Sequence, residues 1–193
     1  MNFLAHIYLS GNNDHIKIGN FIADGIHGQP QGYHPEIVKG IMVHRAIDTF
    51  TDAHPLFRQG TKRLHARYHH YAGVIMDIFY DHFLAKNWAV YSNVPLPEFA
   101  QDFYKLVTDN YEILPERNKG MIPHMTQYNW LVSYASLEGI DRTLKQMDHR
   151  TKLRSGMGNA VDELKEYYTE FEAEFTEFFI DIQQHVKHKI AEL

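Results

Sequence analysis

The chain has 193 residues, 44% hydrophobic and 13% aromatic, with a formal net charge of -5, which marks a globular protein long enough to bury a sizeable core. Its lack of cysteine excludes disulfides, thiolate zinc sites and a cysteine nucleophile, leaving carboxylates and 14 histidines as the strong metal ligands. Mild acidity argues against nucleic-acid binding, no apolar run approaches the roughly 18 residues of a membrane span, and Met1-Asn2-Phe3-Leu4-Ala5-His6 lacks a signal peptide's basic start, so a cytoplasmic protein is expected.

Hydrophobic spacing is helical almost throughout, without sustained period-2 alternation, and predicts an all-α, single-domain helical bundle over residues 1–193. Asp14 is placed to cap a helix to about Ile26, and Gly28, Pro30 and Gly32 then form a loop. Pro35 suits the first turn of a helix that runs to Ala53 and stops before Pro55. Further helices are expected near about 56–69, 72–89, 97–112, 123–135 and 137–151. From Val161 to Ile190 apolar residues step by three or four, predicting one long packing helix over about 158–190.

Two of these helices carry acids on otherwise apolar faces. Val74, Asp77, Asp81 and Leu84 form one stripe, with His82 beside it, and Ile37, Ile41, His44, Asp48 and Asp52 form another. Asn20 and Asp24 are again four apart, and His6 lies in the apolar first segment. A buried carboxylate needs a cation or a set of donors to offset lost hydration. Three such helices can enclose a divalent cation, and oxygen and nitrogen donors favour Mn, Mg, Fe or Zn; a salt-bridge network with Arg45 as its cation is the alternative. No Walker A loop, G-x-G-x-x-G, G-x-S-x-G, H-E-x-x-H or repeated Glu-x-x-His is present, so nucleotide-loop, Rossmann, serine-hydrolase, zincin and ferritin-like sites have no support.

Four ordered blocks add a resemblance. Met1-Asn2-Phe3-Leu4-Ala5-His6, Gly19-Asn20-Phe21-Ile22-Ala23-Asp24, Gly40-Ile41-Met42-Val43-His44-Arg45-Ala46-Ile47-Asp48 with Phe50-Thr51-Asp52, and Tyr80-Asp81-His82-Phe83-Leu84-Ala85 with Trp88 resemble the acyl carrier protein phosphodiesterase family. The specific motifs fall in the first 90 residues, and the later part, including Trp130-Leu131-Val132, matches more loosely. The resemblance implies an HD-phosphohydrolase-like fold, Mn or a similar cation, and removal of 4'-phosphopantetheine from holo-acyl carrier protein. The chain has no His-Asp dipeptide; the pair appears reversed as Asp81-His82.

On this reading Asp24, His44, Asp77 and Asp81 are the expected ligands, with Asp48 as a ligand or its support. His82 is expected to orient water or protonate the departing serine oxygen, Arg45 to clamp phosphate, and His6 and Asn20 to complete the pocket. An acidic carrier protein calls for a basic dock, either Arg142, Lys145 and Arg150 or Lys62, Arg63 and Arg67. A phosphohydrolase for a small nucleotide or phosphate ester would share the site, and a non-catalytic helical binding module would need no metal. Nothing in the sequence sets the oligomeric state.

Overall fold

The computed structural model describes residues 1–193 and contains helices and turns only, without a β-strand. The N-terminal part consists of α1 (Phe3–Leu9), α2 (Asp14–Ile22), a 3-10 turn (Ala23–Gly25) and α3 (Pro35–Ala53). Next come α4 (Pro55–Tyr68), α5 (Ala72–Lys86), α6 (Trp88–Tyr91) and α7 (Leu96–Asp109). The chain closes with α8 (Glu116–Gln127), α9 (Trp130–Ser133), α10 (Leu137–Arg150), α11 (Val161–Glu166) and α12 (Tyr168–Glu192). No helix is long and apolar enough to cross a membrane.

Local chemistry places most of these boundaries. Pro35 and Pro55 open α3 and α4, where a missing N–H costs no ladder bond. Their cap residues, His34 and His54, each accept a backbone N–H two residues on. Asn13, rather than Asp14, caps α2 by accepting from Ile16 N at 3.2 Å, and Asp14 becomes the first helical residue. That helix ends at Ile22, and the tighter 3-10 turn after it carries Asp24. The helix expected from 123 begins seven residues earlier, at Glu116. Pro123 lies exposed inside that helix and has no N–H to offer the carbonyl one turn back.

One continuous core of 47 buried hydrophobic residues holds the helices together. Its densest part is aromatic: Phe171, Phe175, Phe178 and Phe179 of α12 are fully buried, and α12 packs on α3, α4 and α5. The long stripe is interrupted once, at Tyr167, whose φ of -110° and ψ of 30° separate α11 from α12. The bonds Tyr167 N to Glu163 O and Phe171 N to Tyr167 O continue across the break, so Val161 and Leu164 stay on the buried face.

Helices α2 and α3 cross with their backbones in close contact. A Cβ on Gly19 would lie 2.0 Å from Ile37 O, and one on Gly40 would lie 2.3 Å from Ile16 O. Only glycine lets the two backbones approach this far. Their neighbours Asn20 and His44 are thereby brought into direct contact.

Candidate metal centre

Asn20 organises the site. Its side-chain oxygen accepts from His6 Nδ1 at 2.8 Å and from His44 Nδ1 at 3.0 Å. Its amide group donates to His6 O and to Ser10 Oγ, both at 2.9 Å. The side chain thus uses two acceptor and two donor positions, which fixes its orientation. Both imidazoles are protonated at Nδ1 in this arrangement, and both present Nε2 to the same space. The rings stack with centroids 4.1 Å apart.

Carboxylates face these two nitrogens. His44 Nε2 lies 3.1 Å from Asp48 Oδ2 and 3.2 Å from Asp24 Oδ1, and His6 Nε2 lies 3.2 Å from Asp48 Oδ1. Met1 O is 3.1 Å from His6 Nε2 as well. Burial lowers His6 to about 4, and the neighbouring His44 and Met1 ammonium add to this against the pull of Asp48. Burial also opposes charge on His44, but its bonds to Asp24 and Asp48 outweigh it and raise the pKa to about 9. The Asp48 carboxyl, resisted by burial, is carried well below its ordinary value by the bond to His44, with the adjacent His6 imidazole acting in the same direction. Asp24 is lowered, chiefly by its bond to His44.

A single proton on His44 therefore serves Asp24 and Asp48, while the bare Nε2 of His6 still faces two oxygens. A divalent cation is consistent with the His6, His44 and Asp48 part of this arrangement. The donor atoms of His6, His44 and Asp48 lie within 4.8 Å of one another, and nitrogen with carboxylate oxygen is the donor set of Mn, Fe and Zn sites. A cavity of about 60 Å³ beside them, bordered by Asp24 and Phe3, leaves room for water.

A family model described as acyl carrier protein phosphodiesterase covers residues 1–182. The chain belongs to this phosphodiesterase family. Relatives called acyl carrier protein phosphodiesterase include one from Yersinia pestis, 32% identical over 98% of this chain and 99% of its own length. One from Photorhabdus laumondii is 32% identical over 98% and 96%, and one from Yersinia enterocolitica is 33% identical over 93% and 94%. No solved structure matches the chain.

Within this phosphodiesterase chain the expected site residues divide. His6, Asn20, Asp24, His44 and Asp48 come together as described. Asp77 and Asp81 instead brace the segment leading into His6. The Met1 ammonium donates to Asp77 Oδ1 at 2.6 Å. Asp81, fully buried, accepts from the backbone N–H groups of Asn2, Leu4 and Ala5 at 3.2, 2.8 and 3.3 Å. Burial raises Asp81 to about 7, against the pull of the Met1 ammonium and those N–H groups. The acid stripe on α5 thus meets donors supplied by the start of α1. Val74, at its outer end, is exposed, as is Asp52 on α3.

His82 and Arg45 also point elsewhere. His82 Nδ1 donates to Tyr134 O at 2.7 Å, and its Nε2 lies 2.8 Å from the Tyr168 hydroxyl, so both ring nitrogens are engaged away from the His6–His44 pair. Arg45 donates to Ile26 O and Gly28 O at 3.1 and 2.8 Å. It anchors the loop after Asp24 and makes no ion pair with the site carboxylates, so the cation paired with Asp24 and Asp48 is protonated His44 and not Arg45.

The two basic segments differ in freedom. Arg63 is paired with Glu174 and Arg67 with Glu163, leaving only Lys62 of that group without an ion pair. Lys145 is paired with Asp141 at 2.7 Å, whereas Arg142 and Arg150 are exposed and unpaired. A residue that spacing did not reveal is Arg117, which donates to Asp24 O at 3.2 Å. It lies in a polar run, Glu116-Arg117-Asn118-Lys119, whose local pattern carries no sign of a partner 93 positions away.

Proposed function

We propose that this chain hydrolyses the phosphodiester joining 4'-phosphopantetheine to the serine of an acyl carrier protein in the cytoplasm, using a divalent cation, Mn foremost, on an HD-phosphohydrolase-like helical frame. The observation that carries the reading is the convergence of His6 Nε2 and His44 Nε2 on the carboxylates of Asp48 and Asp24. A cation held there would shield phosphoryl oxygens and lower the pKa of bound water from 15.7 toward about 7.

The chain's own residues do the rest. Asn20 holds both imidazoles with Nε2 inward, the role of an outer-shell partner in a metal site. Asp48 presents one oxygen to each histidine and links them. Asp24, ionised and half exposed, stands where the inner cavity meets the surface, in position to accept a hydrogen bond from the attacking water. Water adds to phosphorus and gives up one proton, the bond from phosphorus to the serine oxygen breaks, and that oxygen takes up a proton to leave as a free hydroxyl. The phosphoryl group stays on the arm. Asp77 and Asp81 keep the start of α1 in place, so they act on His6 by position.

The test is to incubate the protein with holo-carrier protein and Mn and weigh the carrier. Loss of the whole phosphopantetheine mass, prevented by chelation and restored by Mn, is expected. Full activity after metal removal, or loss of pantetheine with phosphate left on serine, would overturn the reading.

A further inference from the structure

A second and larger cavity, of about 420 Å³, lies against the metal centre and shares Asn2, Phe3 and Asp24 with it. Its walls are two helix faces of the same design. On α8, Arg117, Gly120, Met121 and His124 line it, and on α10, Thr143, Gln146, Met147 and Arg150 do. Both sets follow the i, i+3, i+4, i+7 spacing of a single helical face. Trp130 and Tyr134 lie at the base, where the Tyr134 hydroxyl accepts from the Asn2 side chain at 3.0 Å.

We propose, resting on the phosphodiesterase reading above, that this cleft receives the pantetheine arm of the substrate and fixes the phosphoryl group at the metal centre. Size is the first argument. A cavity of this volume falls in the range of about 300–1,000 Å³ that encloses a small organic ligand, whereas a carrier-protein helix, roughly 10–12 Å across with its side chains, needs an open groove. Chemistry is the second. The arm is uncharged along its length, with methyl and methylene groups alternating with two amides. Met121, Met147, Trp130 and Phe3 offer apolar contact, the methionines with the flexibility to fit an irregular chain. The side chains of Thr143, Gln146 and His124 make no hydrogen bond within the protein and are free to pair with amides.

Charge is the third argument. Asp24, at the inner end, is the cleft's only acid, and Arg117 and Arg150 are its two guanidinium groups, which suits a ligand whose one charged end is a phosphate. The shared wall of Asn2, Phe3 and Asp24 means that an arm lying in the cleft ends at the His6–His44 pair. The serine side of the diester then points outward, to the carrier.

Gly120 makes the cleft testable, because a Cβ there would meet nothing within 4 Å and its φ needs no glycine. Gly120→Phe fills the space from a position where helix stability should gain. Gly73→Phe, at another glycine with open space and outside the cleft, is the matched control. The readouts are kcat/KM on holo-carrier protein, kcat/KM on bis(p-nitrophenyl) phosphate, and competition by free 4'-phosphopantetheine against the latter.

Gly120→Phe should lower the ratio of the two kcat/KM values by about 100-fold and abolish competition by free phosphopantetheine, with the control unchanged. An unaltered ratio in Gly120→Phe would overturn the inference while leaving the phosphodiesterase reading intact. Lost carrier hydrolysis with undiminished competition would also overturn it, by showing that the cleft takes the carrier's own surface. A wild-type protein inert toward holo-carrier protein would instead overturn the phosphodiesterase reading itself.

Discussion

Asn20 is the residue on which the candidate metal centre turns, since one carbonyl oxygen sets two imidazoles. Asn20→Ala should lower Mn affinity by about 10–100-fold, read by calorimetric titration, with the helical fold retained. The same titration carries a pH signature. His44, raised to about 9 by Asp24 and Asp48 against the opposing effect of burial, holds a proton at neutral pH in the metal-free protein. A ligand must be neutral, so Mn uptake at pH 7 should release about one proton per ion, and apparent affinity should rise with pH until His44 has lost its proton. Repeating the titration in buffers of different ionisation enthalpy measures that proton. Part of this was legible in advance: His44 and Asp48 share a face by spacing alone, and Asn20 and Asp24 are likewise four apart. Spacing reports that an acid faces inward and is silent on what it meets. Asp48 meets two imidazoles, whereas Asp81 meets three N–H groups.

Among the elements that carry the site, α1 has little support from its own sequence. It spans seven residues, its cap residue Asn2 makes no side-chain cap bond, and Asp81 of α5 supplies the acceptor instead. Asp81→Ala leaves those N–H groups buried without a partner, and should cost about 2 kcal/mol of stability, measured by urea denaturation. Activity should fall with it, because His6 rides on α1, and Mn affinity measured on the folded protein should fall too. Periodicity cannot find a helix of two turns, which is why α1 and the 3-10 turn bearing Asp24 escape the sequence. The 161–190 stripe was legible because its apolar residues span many turns, while the single-residue break at Tyr167 leaves that pattern unchanged.

At the scale of the molecule, charge is divided by use. The net charge is -5, and two of the three cations at 62–67 are spent on Glu174 and Glu163. Arg142, Lys152 and Arg154 make no ion pair, and lie on α10 and the turn after it. Reversing these three to Glu should slow hydrolysis of an acidic carrier protein through kcat/KM, and added salt should slow the wild type likewise, as the Debye length contracts to about 8 Å near 0.15 M. Hydrolysis of a small chromogenic diester serves as the reference and should respond far less. The all-α class was written in the periodicity, but the cleft between α8 and α10 was not, because its two faces are separated by some twenty residues and meet only in the folded chain. The crossing of α2 and α3 at Gly19 and Gly40 sets the frame of the candidate site. A contact of backbone on backbone has no rotamers with which to yield, so the helices carrying Asn20 and His44 are held at a fixed separation. The imidazole and the amide that orients it are thus spaced by two residues that contribute no side chain to the site.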